Sequence, residues 1–209
     1  MIAKGNEKKG ILAKILEQFI RVLIKKECKE ISNLKINIFS SSTQIIKGEI
    51  QKINIIAEYI NYKDLFFDEV KLETNHLKIN FILKNKELNF VNNPIIKFKI
   101  SLSQNSLKKV LLSNNWNWIG NIISKGLLEQ GRLEDIRIIN DKLFLNTSKN
   151  DIINQLEQIN IKAEEGKVYL ENRNLKKTIQ IPIEDKIYIK NVKIYNNIVS
   201  IFANSSISF

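Results

Sequence analysis

The sequence predicts an α+β fold in which a long, strongly twisted antiparallel sheet curls around an N-terminal amphipathic helix and a mid-chain helix. Three observations carry this. Apolar residues recur at spacings of three and four over residues 10–29 and again over roughly 104–128. Long stretches between and after them alternate apolar and polar residues with period two. Asn-rich turn signals separate the alternating stretches.

In the first helix, Leu12, Ile15, Leu16, Phe19, Val22 and Leu23 form one broad apolar face. Lys14, Glu17, Gln18, Arg21 and Lys25 fall opposite. Twenty residues make a rod of roughly 30 Å. Strands follow at Leu34/Ile36/Ile38, Ile53/Ile55/Ala57/Tyr59, Val70/Leu72/Thr74, Leu77/Ile79/Phe81/Leu83 and Ile96/Phe98/Ile100/Leu102. Each set leaves one apolar and one polar face, the pattern of an antiparallel sheet wet on one side. The apolar phase slips between Thr74 and Leu77, which predicts a bulge or bend there. Ser103 is the expected N-cap of the middle helix, whose apolar positions are Leu107, Val110, Leu111, Trp118, Ile122 and Ile123. Asn114-Asn115 is expected to break or kink it.

Beyond residue 133 the alternating sets are shorter: Ile136/Ile138, Leu143/Leu145, Ile159/Ile161/Ala163, Val168/Leu170, Ile179/Ile181/Ile183, Ile187/Ile189, Val192/Ile194 and Val199/Ile201/Ala203. Asn140-Asp141, Glu165-Gly166, Asn172 to Asn174, Glu184-Asp185 and Asn196-Asn197 read as turns. Pro182 marks its strand as an edge or a bulged one. The layout resembles a loose duplication of a helix-plus-meander unit, with halves at 10–103 and 104–207. No Pro/Gly/Ser-rich linker divides them, so residues 1–209 are expected to form one domain.

The chain carries 33 Lys and Arg against 22 Asp and Glu, a net charge of +11. Such a balance draws polyanions, either nucleic acid or an anionic membrane face. Only four of the basic residues are Arg, and the chain is rich in Ile and Asn as well as Lys, a trio that rises together when coding DNA is AT-rich. Scarce Arg weakens the nucleic-acid reading more than the membrane one, because Arg is the favoured reader of base edges and phosphates. The apolar stretch Ile11–Ile24 is interrupted by Lys14, Glu17 and Arg21, unlike a signal-peptide core, and no run is long enough to span a bilayer. With one cysteine, the expectation is a cytoplasmic protein, with a peripheral place on the membrane as the functional variant.

No catalytic set emerges and no cofactor or metal is expected. His76 is the sole histidine and lies at the predicted bend. Cys28 is a lone thiol at a helix end. No phosphate-cradling glycine loop is present. Asn115-Trp116-Asn117-Trp118 reads either as the lip of an apolar site or as cover for the second helix. Residues 1–30 carry a net charge of +4, which reads either as a membrane-docking helix or as a helix with a solvated basic side.

A broad-faced helix and a one-sided sheet must bury their apolar faces together. If the helices do not fill the trough, an elongated apolar cavity remains. From this pattern, Phe19, Leu23, Phe81, Phe98 and Trp118 are the candidate cavity wall. Lys8, Lys9, Lys25 and Lys26 are the candidate headgroup or membrane contacts. The alternative is a trough filled by side chains.

Particular segments also carry a family resemblance. They are Ile11-Leu-Ala-Lys-Ile-Leu, the stretch from Phe67 to Asn80, Asn93-Pro94 before Ile95–Ser101, Leu102-Ser-Gln-Asn-Ser-Leu, and the closing stretch from Ile187 to Ile201. In order and texture they resemble the LmeA-like phospholipid-binding family, over about residues 10–207. The resemblance implies a fold similar to tubular lipid-binding folds and non-enzymatic binding of a phospholipid or another acyl-chain lipid. It transfers no site motif, and the export signal of some members is not expected here, so the compartment is expected to differ from theirs. The rival expectations are a structural or interaction protein with a filled core and a basic nucleic-acid-binding module. The latter would need aromatic residues on the polar strand faces, whereas Tyr59, Phe81 and Phe98 continue the apolar phase.

Overall fold

The computed structural model describes residues 10–82, 87–129, 132–147 and 156–206, and for residues 81, 82 and 87–90 the backbone alone. Helix α1 (Ile11–Glu27) is the predicted first helix. It is followed by β1 (Glu30–Phe39), a short α2 (Ser42–Ile46), β2 (Glu49–Tyr62), β3 (Leu65–Ile82), β4 (Glu87–Phe90) and β5 (Ile95–Ser103). The predicted middle helix is divided at the Asn pair into α3 (Gln104–Leu111) and α4 (Asn117–Leu128). Ser103 caps α3 by accepting from the Ser106 N–H. Then come β6 (Leu133–Ile139), β7 (Lys142–Thr147), β8 (Glu157–Glu164), β9 (Lys167–Asn172), β10 (Lys177–Ile181), β11 (Ile187–Tyr195) and β12 (Ile198–Ser206).

The α+β class is as expected, but the single sheet is not. Two antiparallel sheets form, each with its own helix. The larger runs β1-β2-β3-β5-β12-β11, with β4 paired to β3, and the smaller runs β10-β9-β8-β7-β6. The reason is non-local pairing. The last hairpin returns to β5, with Ile198 opposite Ser103 and Ser206 opposite Ile95, and so completes the sheet of the first half. Strands β6–β10 then close around α4, whose Leu127 is fully buried among residues such as Ile136 and Leu145. One antiparallel bridge links the two sheets, the Ile189 N–H donating to the Gly166 carbonyl at 2.9 Å, and both sheets contribute residues to the larger core. A second, smaller core joins Ala13 and Leu16 of α1 to Leu34, Ile36 and Ile38 of β1 and to β2 and β3.

Asn and Asp serve as turn residues, as the sequence predicts. Asn140-Asp141 and Asn196-Asn197 each hold two consecutive positive φ angles, the geometry of tight hairpins. These two hairpin tips also grip one another. The Asn197 N–H donates to Asp141 Oδ1 at 2.7 Å, and the Asp141 N–H donates to Asn197 Oδ1 at 3.1 Å. Pro182 falls just past β10, which is an edge strand. His76 takes φ 53° at the predicted bend, after which Leu77 and Ile79 take up the buried phase. Tyr59 departs from expectation. With φ 50° it turns out to solvent, because the buried phase slips between Ala57 and Ile60. No helix of the described residues is long and apolar enough to cross a membrane.

Candidate functional site

The position of α1 follows from its polar residues as much as its apolar ones. Strand β1 is an edge of the larger sheet, with backbone groups that lack a strand partner. Glu17 accepts from the Ile38 N–H at 2.8 Å, and Arg21 donates to the Leu34 carbonyl at 2.5 Å. Both residues read as solvated in the sequence. In the structure they tie α1 to the open edge of β1. The close backbone neighbours of α1 are therefore β1 and α2, and toward β2, β3 and β5 a gap remains.

The gap consists of two apolar hollows, one along the N-terminal half of the helix and one along its C-terminal half. One, of about 440 Å³, lies between Ile20, Leu23 and Ile24 of α1 and an inner sheet face that includes Ile53, Leu72 and Ile96. Thr74 is its one polar lining residue. The Thr74 hydroxyl is closed off from solvent and has no hydrogen-bond partner. The other hollow, of about 460 Å³, lies between Leu12, Ile15, Leu16 and Phe19 of α1 and Ile45 and Ile46 of α2. Ile79 lines both. Gly48 brings the chain close at this shared wall. Its φ is 73°, and a Cβ there would come within 2.1 Å of the Ile79 carbonyl oxygen, so only glycine fits. Each hollow is of the size that holds a small molecule.

The candidate residues are dispersed. Phe19 lines the hollow beside α2, and Leu23 lines the one beside β3 and β5. Phe98 stands opposite Leu72 and Ala203 in register and packs against the larger core; it lines neither of these two hollows but does line a third, of about 420 Å³. Trp118 sits in the first turn of α4, 43% exposed, with its ring 6.4 Å from that of Trp116. It forms no part of the cleft wall. Trp116 instead fastens the β2–β3 hairpin, its indole N–H donating to the Lys63 carbonyl at 2.9 Å. The side chain of Phe81 and all of Lys8 and Lys9 lie outside what the structure describes. Lys25 and Lys26 are exposed in the last turn of α1, next to Leu23. Sequence reasoning missed the β-branched floor of the cleft at Ile53, Thr74 and Ile96. Their period-two phase marked them as inward-facing but not as uncovered.

The remaining chemistry is spare. Burial, and then the charge of Glu27, push the Cys28 thiol up, which disfavours a reactive thiolate. His76 is exposed, and its carbonyl accepts from the Asn92 amide at 2.8 Å. Among the described residues no group of three His, Cys, Asp or Glu side chains could hold a metal ion. The outer face of the larger sheet carries a shallow hollow of about 420 Å³, around which Lys71, Lys97, Lys99 and Lys190 gather with Glu73. Lys71 and Lys99 stand directly opposite one another in register, and Lys99 lies over the ring of Phe202 at 5.6 Å. Comparisons of the chain with protein-family models, with curated proteins and with solved structures each return no match.

Proposed function

We propose that this chain binds a phospholipid or another acyl-chain lipid, without catalysis, in the cleft between α1 and the inner face of the larger sheet. The observation that carries the reading is the hollow beside β3 and β5, lined by aliphatic side chains with Thr74 as the one exception. Such a wall offers nothing to orient a polar substrate and much to solvate a hydrocarbon tail. Burying methylene groups yields about 0.8 kcal/mol each, so one long tail supplies on the order of 10 kcal/mol before ordering costs. The likeness to tubular lipid-binding folds, and the family resemblance that implies it, belong to the same proposal. Organic extraction of the purified protein followed by lipid mass spectrometry tests it. A stoichiometric acyl-chain lipid is expected, and protein that never carries or takes up lipid overturns the reading in favour of a filled-core interaction protein.

One observation favours a second reading, nucleic-acid binding. Phe202 is an exposed aromatic residue on the lysine-lined outer sheet face. Fluorescence anisotropy with a single-stranded oligonucleotide separates the two. Binding that weakens as salt rises and is lost in Phe202→Ala would favour this reading, and binding absent at physiological salt would remove it.

A further inference from the structure

We propose that the outward flank of α1, together with Ile46 of α2, is a docking face for an anionic lipid surface. The proposal rests on the lipid-binding reading and names where lipid enters. Ile11, Ile15 and Val22 are separated by four and seven residues and so fall along one stripe of the helix. They are 76%, 59% and 64% exposed, and Ile46 on the neighbouring helix is 76% exposed. The opposite flank of α1 is the one that buries Ala13 and Leu16. The stripe is therefore a second apolar face, left over after the helix has packed, and exposed aliphatic residues concentrated in this way mark an interaction surface.

The charge around the stripe selects its partner. Lys14, Lys25 and Lys26 on α1 and Lys47 after α2 are all exposed at its margins. Glu17 is turned toward the Ile38 N–H of β1, which leaves Glu27 as the exposed carboxylate of the helix. An apolar strip with a basic rim is the form of a helix that lies in the plane of an anionic membrane interface. A second copy of the chain would bring the same basic rim against itself. Ile15 and Ile46 belong both to this face and to the wall of the hollow beside α2, so the docked face sets that hollow against the lipid.

Flotation with vesicles of phosphatidylcholine alone and of phosphatidylcholine with added phosphatidylglycerol tests the face. The protein is expected to float with the anionic vesicles and much less with the neutral ones, more strongly at low salt. The double variant Ile11→Asp/Val22→Asp changes exposed positions that line neither hollow, and its fold is checked by its circular dichroism melt. It should lose at least about tenfold in vesicle partitioning. Lys25→Ala and Lys26→Ala should each lose about fivefold. Flotation of the double variant equal to that of the unaltered protein overturns the docking face, whatever lipid is extracted. So does a dimer in sedimentation that the double variant dissolves, which would make the face a contact between copies. Absence of extractable lipid with flotation intact overturns the cleft reading instead.

Discussion

Thr74→Val probes the cleft wall directly. Thr74 lies on β3 between Ile53 of β2 and Ile96 of β5, and its hydroxyl is buried without a partner in a wall otherwise aliphatic. A buried hydroxyl left unpaired costs about 1–3 kcal/mol relative to a paired or absent one. Valine keeps the β-branched shape and strand preference while removing the polar atom. For a chain of this length each kcal/mol moves the melting temperature by roughly 2–4 °C. Lipid-free Thr74→Val should therefore melt roughly 2–12 °C above the unaltered protein. Differential scanning calorimetry on extracted protein reads the shift, and lipid mass spectrometry on unextracted protein should show at least as much lipid as before. A lower melting temperature or a loss of lipid refutes the reasoning. Either would mean that the hydroxyl is satisfied by water or by a polar part of the ligand, and that the wall is not a surface for hydrocarbon.

Three further perturbations test the frame that holds the cleft. Leu127→Ala removes a fully buried side chain from the larger core and should cost about 2–5 kcal/mol by urea unfolding. Gly48→Ala meets both a positive φ and the Ile79 carbonyl, so it should destabilise the protein by more than about 1 kcal/mol and reduce lipid uptake through the shared wall of the two hollows. Asp135 ties α3 to β6. Its partial burial raises the carboxyl pKa, but bonds from Lys108, Arg137 and the Ile136 N–H outweigh this and hold it below the usual carboxylate range. The folded state thus binds the Asp135 proton less readily than the unfolded chain. Its contribution is present above about pH 4, the ordinary carboxylate value, and is lost as pH falls through the lower folded value. Urea unfolding of Asp135→Asn against the unaltered protein between pH 7 and pH 3 should show the two stabilities converging on the acid side. A gap unchanged across that range would contradict the assignment.

The elements that sequence reasoning found are those set by local chemistry. Ser103 caps α3, the Asn pair lies in the break between α3 and α4, and Asn-Asn and Asn-Asp close hairpins, because each depends on a few neighbouring atoms. Helix α2 was missed although its signal was present. Ser41 and Gln44 form a capping box, with Gln44 accepting from the Ser41 N–H and the Ser41 hydroxyl accepting from the Gln44 N–H. What could not be read was pairing at long range. Period two says that Val199, Ile201 and Ala203 share a face but not that their strand joins β5, and one sheet was expected where two form. The cleft illustrates the same limit. The breadth of the apolar face of α1 is plain in the sequence. Which part of it is buried depends on Glu17 and Arg21 reaching the edge of β1, a contact that two ordinary charged residues do not announce.

Whether the space beside α1 holds hydrocarbon is read by native mass spectrometry of the intact protein, followed by extraction and identification of whatever is released. The expected result is a mass increment equal to a lipid with one or two acyl chains, and its loss when Leu72→Trp fills the hollow beside β3 and β5. An unliganded mass from every preparation, including protein incubated with phospholipid, would contradict the lipid-binding reading.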